Sequence, residues 1–560
     1  MNFKKTTLYF LLCGIGIIAG AQSTWRSDLP IKPGRGVTVA GTVECDGKPL
    51  AGVTVSDGYT VTKTDRKGAY YIKSEKKNPQ VFVSVPSGYE AYRDDVMPQF
   101  WADFTAAPDK FERLDFRLVR NENDRHGLIV ITDMHLANQR NDVGRFSTVY
   151  MDRLRNEVKQ LEDKGLTPYT IHLGDGTWDV RWFENEFPIV RLREVLNEVD
   201  FPTPFFNLMG NHDNDPSAVA GPDCDLNAAR PYMKVFGPRY YSFNLGKAHY
   251  VVLDNMYYIN DPLHEPSSRK GVAGKRNYSE KFTDEQLEWL QKDLTGLPAD
   301  MPLIIAVHGP VFATKGTSTD ASIRTEKEST GRLLEILEPF ENVHFLSGHS
   351  HKQMTRRLPG EKVRADHNIA GVCGSWWWNS AFGGRNLCPD GNPVGYEVFE
   401  FDGPDFIWRH ETFEEEPGRQ FMAFDLNRVK EYFAGNAELR VFRAHYPKWS
   451  DYSEQPDNSI YINIWAYDPA GTLKVTENGK ELEVEPVVMQ NPLYDATFMV
   501  QKSVWEEEFP KNYAKPRKFF AFRAVASAPD TPVEISWTDA CGKEYRQTIE
   551  RPQAFSTDKY

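Results

Sequence analysis

The stretch RHGLIVITDMHLAN, Arg125 to Asn138, decides the fold. Its centre, Leu128-Ile129-Val130-Ile131, is a continuous apolar run, the pattern of a strand buried on both faces. The run leads directly into Asp133-Met134-His135, two ligand-type side chains two positions apart. The same construction recurs downstream in Tyr169 to Ile171, Phe205-Phe206, Tyr250 to Leu253, Leu303 to Ala306 and His344 to Leu346, with amphipathic segments between. One of these segments predicts a helix from Thr283, where Thr-Asp-Glu-Gln reads as a capping box and Leu287, Leu290 and Leu294 form an apolar stripe. Strands alternating with helices in this way predict an α/β architecture.

Five short motifs each follow one of the apolar runs: Asp133-Met-His135, Gly174-Asp175, Gly210-Asn-His-Asp213, Val307-His308-Gly309 and Gly348-His-Ser-His351. In open α/β sheets, residues at the carboxyl ends of strands converge on one ligand site, however distant they are in sequence. Carboxylate and amide oxygens combined with neutral imidazoles suit borderline divalent metals, and a shared carboxylate lets two cations sit close together. Asp175 is the natural bridge. The neighbouring glycines allow tight turns that leave the site open.

In this order the motifs resemble the calcineurin-like metallophosphoesterase superfamily, over residues 122–384. The resemblance implies a four-layer α/β/β/α sandwich. It implies one metal held by Asp133, His135, Asp175 and His351, and a second by Asp175, Asn211, His308 and His349. The two divalent ions, manganese, iron, zinc or nickel, would hold a bridging hydroxide that attacks a phosphate monoester or diester. His212 would then be the proton donor, and Asp213 beside it would orient the imidazole. Asn138 is a candidate contact to substrate phosphate. Trp376 and Trp377, with Trp378, offer an aromatic wall for a sugar, base or lipid-like leaving group, and Arg385 offers a phosphate contact. His172, His249 and His344 read as structural, and Asp179 reads as part of a solvated polar loop.

The flanks have a different texture. Residues 34–119 carry short alternating runs punctuated by Asp46-Gly47, Asp57-Gly58 and Lys67-Gly68, which predict an antiparallel β-sandwich. The phrase DGKPLAGVTVSDG…TDRKGAYYI there resembles the carboxypeptidase-regulatory-like, transthyretin-like module, which implies an accessory role. Residues 395–560 return to strand-like patterns, with strict alternation from Ile460 to Trp465 and a hairpin turn at Asn478-Gly479, and predict a C-terminal β-rich domain. The three-part layout resembles exported bacterial phosphoesterases of the same superfamily.

Lys4 and Lys5, the apolar segment Leu8 to Ile18 and the small residues Ala19-Gly20-Ala21 read as the three parts of a signal peptide over residues 1–21. The expected location is the periplasm, the cell surface or the medium. The bulky Leu12 before Cys13 argues against a lipoprotein, and nothing downstream is apolar enough for a transmembrane segment. Only Cys45, Cys224, Cys373, Cys388 and Cys541 follow the signal, too few for a disulfide scaffold, although Cys373 and Cys388 are near enough to pair across a loop. A formal net charge of −13 argues against nucleic acid as a partner. The expected substrate is a phosphorylated small molecule, glycan or lipid. The competing reading is a surface protein whose β-modules grip glycan or protein around a weak or vestigial phosphoesterase core.

Overall fold

The computed structural model describes residues 25–93, 95–372, 384–446, 452–499 and 517–560. Eleven strands build two stacked sheets: β1 (Arg125–Ile131), β2 (Thr167–His172), β3 (Phe205–Asn207), β4 (Tyr241–Leu245), β5 (Ala248–Val252), β6 (Leu303–Ala306), β7 (Asn342–Ser347), β8 (Met354–Arg357), β9 (Val363–Asn368), β10 (Gly395–Asp402) and β11 (Asp405–Thr412). The first sheet has the order β3-β2-β1-β10-β11 and the second β4-β5-β6-β7-β9-β8. Strands β1, β2 and β3 run parallel, as do β5, β6, β7 and β9.

The apolar run of β1 shows why the sheets stack. Ile129 and Ile131 enter one core with Leu154 and Leu161 of helix α1 (Met151–Asp163) and Leu192 and Leu196 of helix α2 (Ile189–Glu198). Leu128 and Val130 point the other way, into a core shared with Tyr250, Ile304 and Phe345 of the second sheet. That core continues to Leu287 and Leu290 of helix α3 (Asp284–Asp293) and Leu333 and Leu337 of helix α4 (Lys327–Leu337). The result is the expected mixed α/β sandwich with β-rich flanks. Thr283 caps α3 through Gln286 N–H, as its sequence predicts. The Gln286 side chain does not return to the cap; it bonds both backbone groups of Asp254, at 2.7 and 2.8 Å, and fastens α3 to the chain after β5.

The sequence reading assigned Gly395 onward to the C-terminal domain, and the sheet corrects it. Residues Gly395–Thr412 form β10 and β11, and β10 pairs antiparallel with β1 from Arg125↔Asp402 to Val130↔Glu397. The first sheet therefore takes its last two strands from a distant part of the chain. Beyond them, the flanking region packs two four-stranded sheets face to face around Ile460, Ile462, Val475, Ile535 and Trp537. Two helices, Leu426–Gly435 and Ala437–His445, also lie in this region, where strands alone were expected. Asp425 caps the first of them, and Leu426, Val429 and Phe433 supply its buried stripe. Asn478 and Gly479 both have positive φ at the predicted hairpin.

At the other end, residues 39–120 form a β-sandwich. It docks on the β4 edge of the second sheet: Asn244 N–H donates to Val85 O at 2.9 Å, and Ser242 and Ser84 hydroxyls meet at 2.9 Å. An edge that would otherwise expose unpaired backbone is thereby covered.

Between the sheets, Glu397 of β10 faces His367 of β9 at 3.8 Å, fully buried, with Oε2 lacking a hydrogen-bond partner. Burial pushes its carboxyl up from 4.5 to about 8, against a hydrogen bond from Gln353. The folded protein thus retains a proton that the unfolded chain has lost above pH ~4.5, so stability falls as pH rises from there through about 8. Glu397→Gln should therefore raise Tm more at pH 9 than at pH 5. An equal change at both pH values would contradict a protonated Glu397.

Candidate metal and active centre

The carboxyl ends of β1, β2, β3, β6 and β7 deliver the motif residues to one crest. Two loops are laced there by their backbones: Asp133 N–H donates to Gly174 O at 3.0 Å and His135 N–H to Asp175 O at 2.9 Å. Asp133, His135, Asp175, His349 and His351 all hold left-handed backbone conformations, with φ between 44° and 65°. Non-glycine residues visit this region rarely and at a cost, and such residues concentrate at functional sites. The turns depend on glycine neighbours. A Cβ on Gly210 would lie 2.2 Å from Asp175 Oδ1, and one on Gly348 2.0 Å from Thr132 Oγ1.

The ligand-type atoms converge in three overlapping groups: Asp133, His135 and His351; His135, Asp175 and His212; and Asp175, His308 and His349. His351 Nε2 lies 3.1 Å from Asp133 Oδ1 and 3.0 Å from His135 Nε2. His308 Nε2 lies 3.1 Å from Asp175 Oδ2 and 3.2 Å from Asn211 Oδ1. Asp175 also comes within 3.8 Å of His135 Nε2, so its carboxylate is the hinge between the two halves. His308 Nδ1 donates to Leu173 O at 2.7 Å, which fixes the tautomer and leaves Nε2 facing the cluster.

The electrostatics of this crest are those of a cation site. Asp133 and Asp175 are almost completely buried, and burial alone would raise their pKa; the surrounding histidines instead hold both carboxyls well below the ordinary range. Burial would depress His308, yet Asp175 and Asp133 hold it at about 10. His349, buried and next to His308, is pushed down to about 3. Buried carboxylates demand cationic partners, and imidazoles, carboxylates and an amide oxygen are a fitting donor set for two divalent ions.

The proton-donor candidate is served differently from the sequence reading. Asp213 does not touch the His212 imidazole. It ends the short helical turn Asn211–Asp213, and its carboxylate bends back to accept Gly210 N–H at 3.0 Å and Thr177 N–H at 3.1 Å, stapling two loops. The adjacent side chains point apart. The partner is Asp179, expected in a solvated loop but only 1% exposed, whose Oδ1 lies 2.7 Å from His212 Nδ1. Asp179 also accepts two bonds from Arg276, Nε at 2.5 Å and Nη2 at 2.7 Å. With Asp179 accepting, Nδ1 carries the proton and Nε2 is left for the reaction. Burial lowers the His212 pKa, but Asp175 and Asp179 outweigh it and raise the value overall.

Arg276, Tyr278 and Glu280 went unnoticed in the sequence because they lie on a hairpin, Met256–Tyr258 with Tyr278–Glu280, that carries no motif. Tyr278 OH is 3.3 Å and Glu280 Oε1 3.6 Å from His349 Nε2. The cluster Arg269, Lys270, Lys275 and Arg276 was the one signal available.

The substrate-side expectations fare unevenly. Asn138 lies at the surface, its amide donating to Asn185 O at 3.4 Å. Arg385 is corrected: its guanidinium is bound to Glu415 at 2.8 Å, in a network with Tyr560 and Arg419 that ties down the C-terminus, and is committed there instead of to phosphate. Trp376, Trp377 and Trp378, and Cys373 of the suggested Cys373–Cys388 pair, lie outside the described residues. His172, His249 and His344 are packing residues bonded to Asn207, Asp293 and His367 respectively.

Comparison with known families agrees with this geometry. Residues 127–353 match the calcineurin-like phosphoesterase model, residues 37–121 the model for its N-terminal region and residues 366–545 the model for its C-terminal region. The chain carries a calcineurin-like phosphoesterase domain between its N- and C-terminal companion domains. The matched model describes phosphoesterases that use two divalent metals and act on phosphorylated substrates, and the donor groups gathered at the crest fit such a centre. No curated protein matches the chain. Among solved structures, it is similar to a dimetal phosphatase from Danio rerio at 16% identity, covering 52% of this chain and 97% of that one, with a TM-score of 0.33. A purple acid phosphatase from yellow lupin (Lupinus luteus) seeds shares 12% identity over 65% and 68% of the two chains, TM-score 0.33. A 5'-nucleotidase from Candida albicans shares 12% over 52% and 51%, TM-score 0.28.

Asp179→Asn should lower kcat for alkyl phosphates by about 10–100-fold, the usual cost of losing an orienting partner. 4-Nitrophenyl phosphate, whose leaving group needs no proton, should be nearly spared, with metal content unchanged. Equal losses on both esters would show that Asp179 acts elsewhere. Gly210→Ala should weaken metal binding by about 10-fold or more by displacing Asp175, measured by mass spectrometry of metal retained after dialysis.

Proposed function

We propose that the protein hydrolyses phosphate monoesters or diesters with two divalent cations. The observation that carries this reading is the Asp175 carboxylate, which lies between two groups of buried ligand atoms with His212 beside it. Asp133, His135, Asp175 and His351 would hold one ion, and Asp175, Asn211, His308 and His349 the other. Bound there, the cations would supply Lewis acidity toward the phosphoryl oxygens and a water acidic enough to attack near neutral pH.

The chain's own groups supply the rest. His212, whose ring centroid is 5.2 Å from that of His135, would hand a proton to the departing alkoxide. Asp179 sets its tautomer, and Arg276 fixes Asp179 through two charge-assisted bonds. Tyr278 and Glu280 orient His349 from the hairpin side. The reading includes export, supported by Lys4, Lys5, the apolar segment Leu8 to Ile18 and Ala19-Gly20-Ala21; amino-terminal sequencing of protein from the native host tests it, and an intact Met1 in the mature form rejects it.

Protein stripped with a chelator and reloaded with manganese, zinc, iron or nickel should regain hydrolysis of 4-nitrophenyl phosphate or of the bis ester. Asp175→Asn should lose about 100-fold or more of that activity in every metal, together with much of the bound metal. Metal-independent turnover, or turnover indifferent to Asp175, would refute the proposal.

A further inference from the structure

The N-terminal sandwich and the segment leading into it form an open cavity of about 550 Å³ that the phosphoesterase chemistry does not use. Its walls are aromatic: Trp25, Tyr92, Trp101 and Phe111 line it, and Phe111 is 45% exposed, unusual for a ring of that size. It forms where the edge strands of the module's two sheets, Tyr89–Ala91 and Trp101–Asp103, come together. Tyr92 N–H bonds Arg117 O at 3.2 Å, and Gln99 N–H bonds Tyr92 O at 2.9 Å.

The polar groups on the wall divide into two kinds. The acids are saturated. Asp115 accepts from Thr42 N–H at 2.8 Å, Ser27 N–H at 3.3 Å and the Arg113 guanidinium, while Glu112 accepts Thr105 N–H at 2.8 Å, Ala106 N–H at 2.9 Å and Lys76 Nζ at 3.3 Å. Arg113 donates further through Nη2 to Ser27 O and Leu29 O, and Arg26 on the same wall donates to Arg113 O.

Arg117 is the exception. Its guanidinium carbon sits over the Tyr92 ring, 3.6 Å from the centroid, with the Trp25 ring at 5.7 Å, and its N–H groups meet no hydrogen-bond acceptor among the described residues. A stacked guanidinium is a planar fork with its orientation already fixed, the geometry that binds a carboxylate with two parallel bonds. Neighbouring rings fit the C–H face of a pyranose, and the volume suits one or two sugar units.

We infer that this cavity is a binding site for an acidic saccharide, with a uronate carboxylate on Arg117 and the sugar ring against the aromatic wall. The site would hold the enzyme on a polyuronate-containing matrix, whatever phosphate ester the metal centre takes. Uncharged glycans lack the group that matches the Arg117 guanidinium. An acidic peptide matches the charge but presents no pyranose face to Phe111 and Trp101.

The test is titration calorimetry of the full mature chain with tetragalacturonate, its fully methyl-esterified form and tetraglutamate. Tetragalacturonate should bind, the ester should bind at least 10-fold more weakly, and tetraglutamate should give no heat. Arg117→Met should lower the affinity for tetragalacturonate at least 10-fold and Phe111→Ala at least 3-fold, with unchanged Tm and unchanged turnover of 4-nitrophenyl phosphate. Absence of tetragalacturonate binding, equal binding of the ester, tetraglutamate binding as tight, or an unaffected Arg117→Met would each overturn the inference. Because binding is read by heat and hydrolysis by colour, failure of one leaves the other standing.

Discussion

Two carboxylates held ionised where almost no water reaches them govern the crest of this fold. Asp133 and Asp175 sit within 1% of complete burial, and each is met by imidazoles at 3.1 Å. A buried charge without a counter-charge costs several kcal/mol, far more than a single hydrogen bond returns. The histidines reduce that cost by sharing protons, which is why His308 is pulled up while His349 beside it is forced down. Two divalent cations would remove the conflict, because they would satisfy the carboxylates and allow the ligand imidazoles to be neutral.

The backbone pays a second cost for this convergence. Five of the seven proposed ligands adopt left-handed conformations, each costing on the order of 1 kcal/mol or more. The total approaches a substantial part of the net stability of a domain, about 5–15 kcal/mol. Such turns persist only where rigid elements over-determine them. Here the loops are pinned by the five parallel-strand ends below, by Asp213 clamping Gly210 and Thr177, and by backbone bonds from Asp133 and His135 to the Gly174-Asp175 turn. Asp213 thus has a structural task that requires a carboxylate as strictly as catalysis would.

These costs explain what was legible in the sequence. Apolar runs such as Leu128 to Ile131 are long enough to mark doubly buried strands, and a ligand-type residue straight after a strand has few places to go except the crest. Hence the α/β sandwich, and the convergence of the seven proposed ligands and His212 on its crest, were readable. Asp179 was not, because a polar residue in a loop looks the same whether it is solvated or buried under Arg276; only the three-dimensional path of residues 175–181 separates the cases. Arg385 failed for the converse reason, since its partner Glu415 is distant in sequence. Strands β10 and β11 were assigned to the wrong unit because pairing partners of β1 at Gly395–Asp402 leave no local mark.

The same division separates chemistry from selectivity. Every group that would handle the phosphoryl centre arises at a strand end and is positioned by the sheets. Arg276, Tyr278 and Glu280 arise from a two-stranded hairpin that packs on the crest without belonging to either sheet. A hairpin can change length and composition without disturbing the strand ends, so the family chemistry and this chain's substrate preference can vary independently. Arg276 couples the two: it reaches from the variable hairpin to Asp179, and through Asp179 to His212. A substrate that displaced the hairpin would loosen the clamp on the proton donor, whereas one that fits beneath it leaves Arg276 and Asp179 paired. Fit at the leaving group would in this way be converted into alignment of the proton that the leaving group requires.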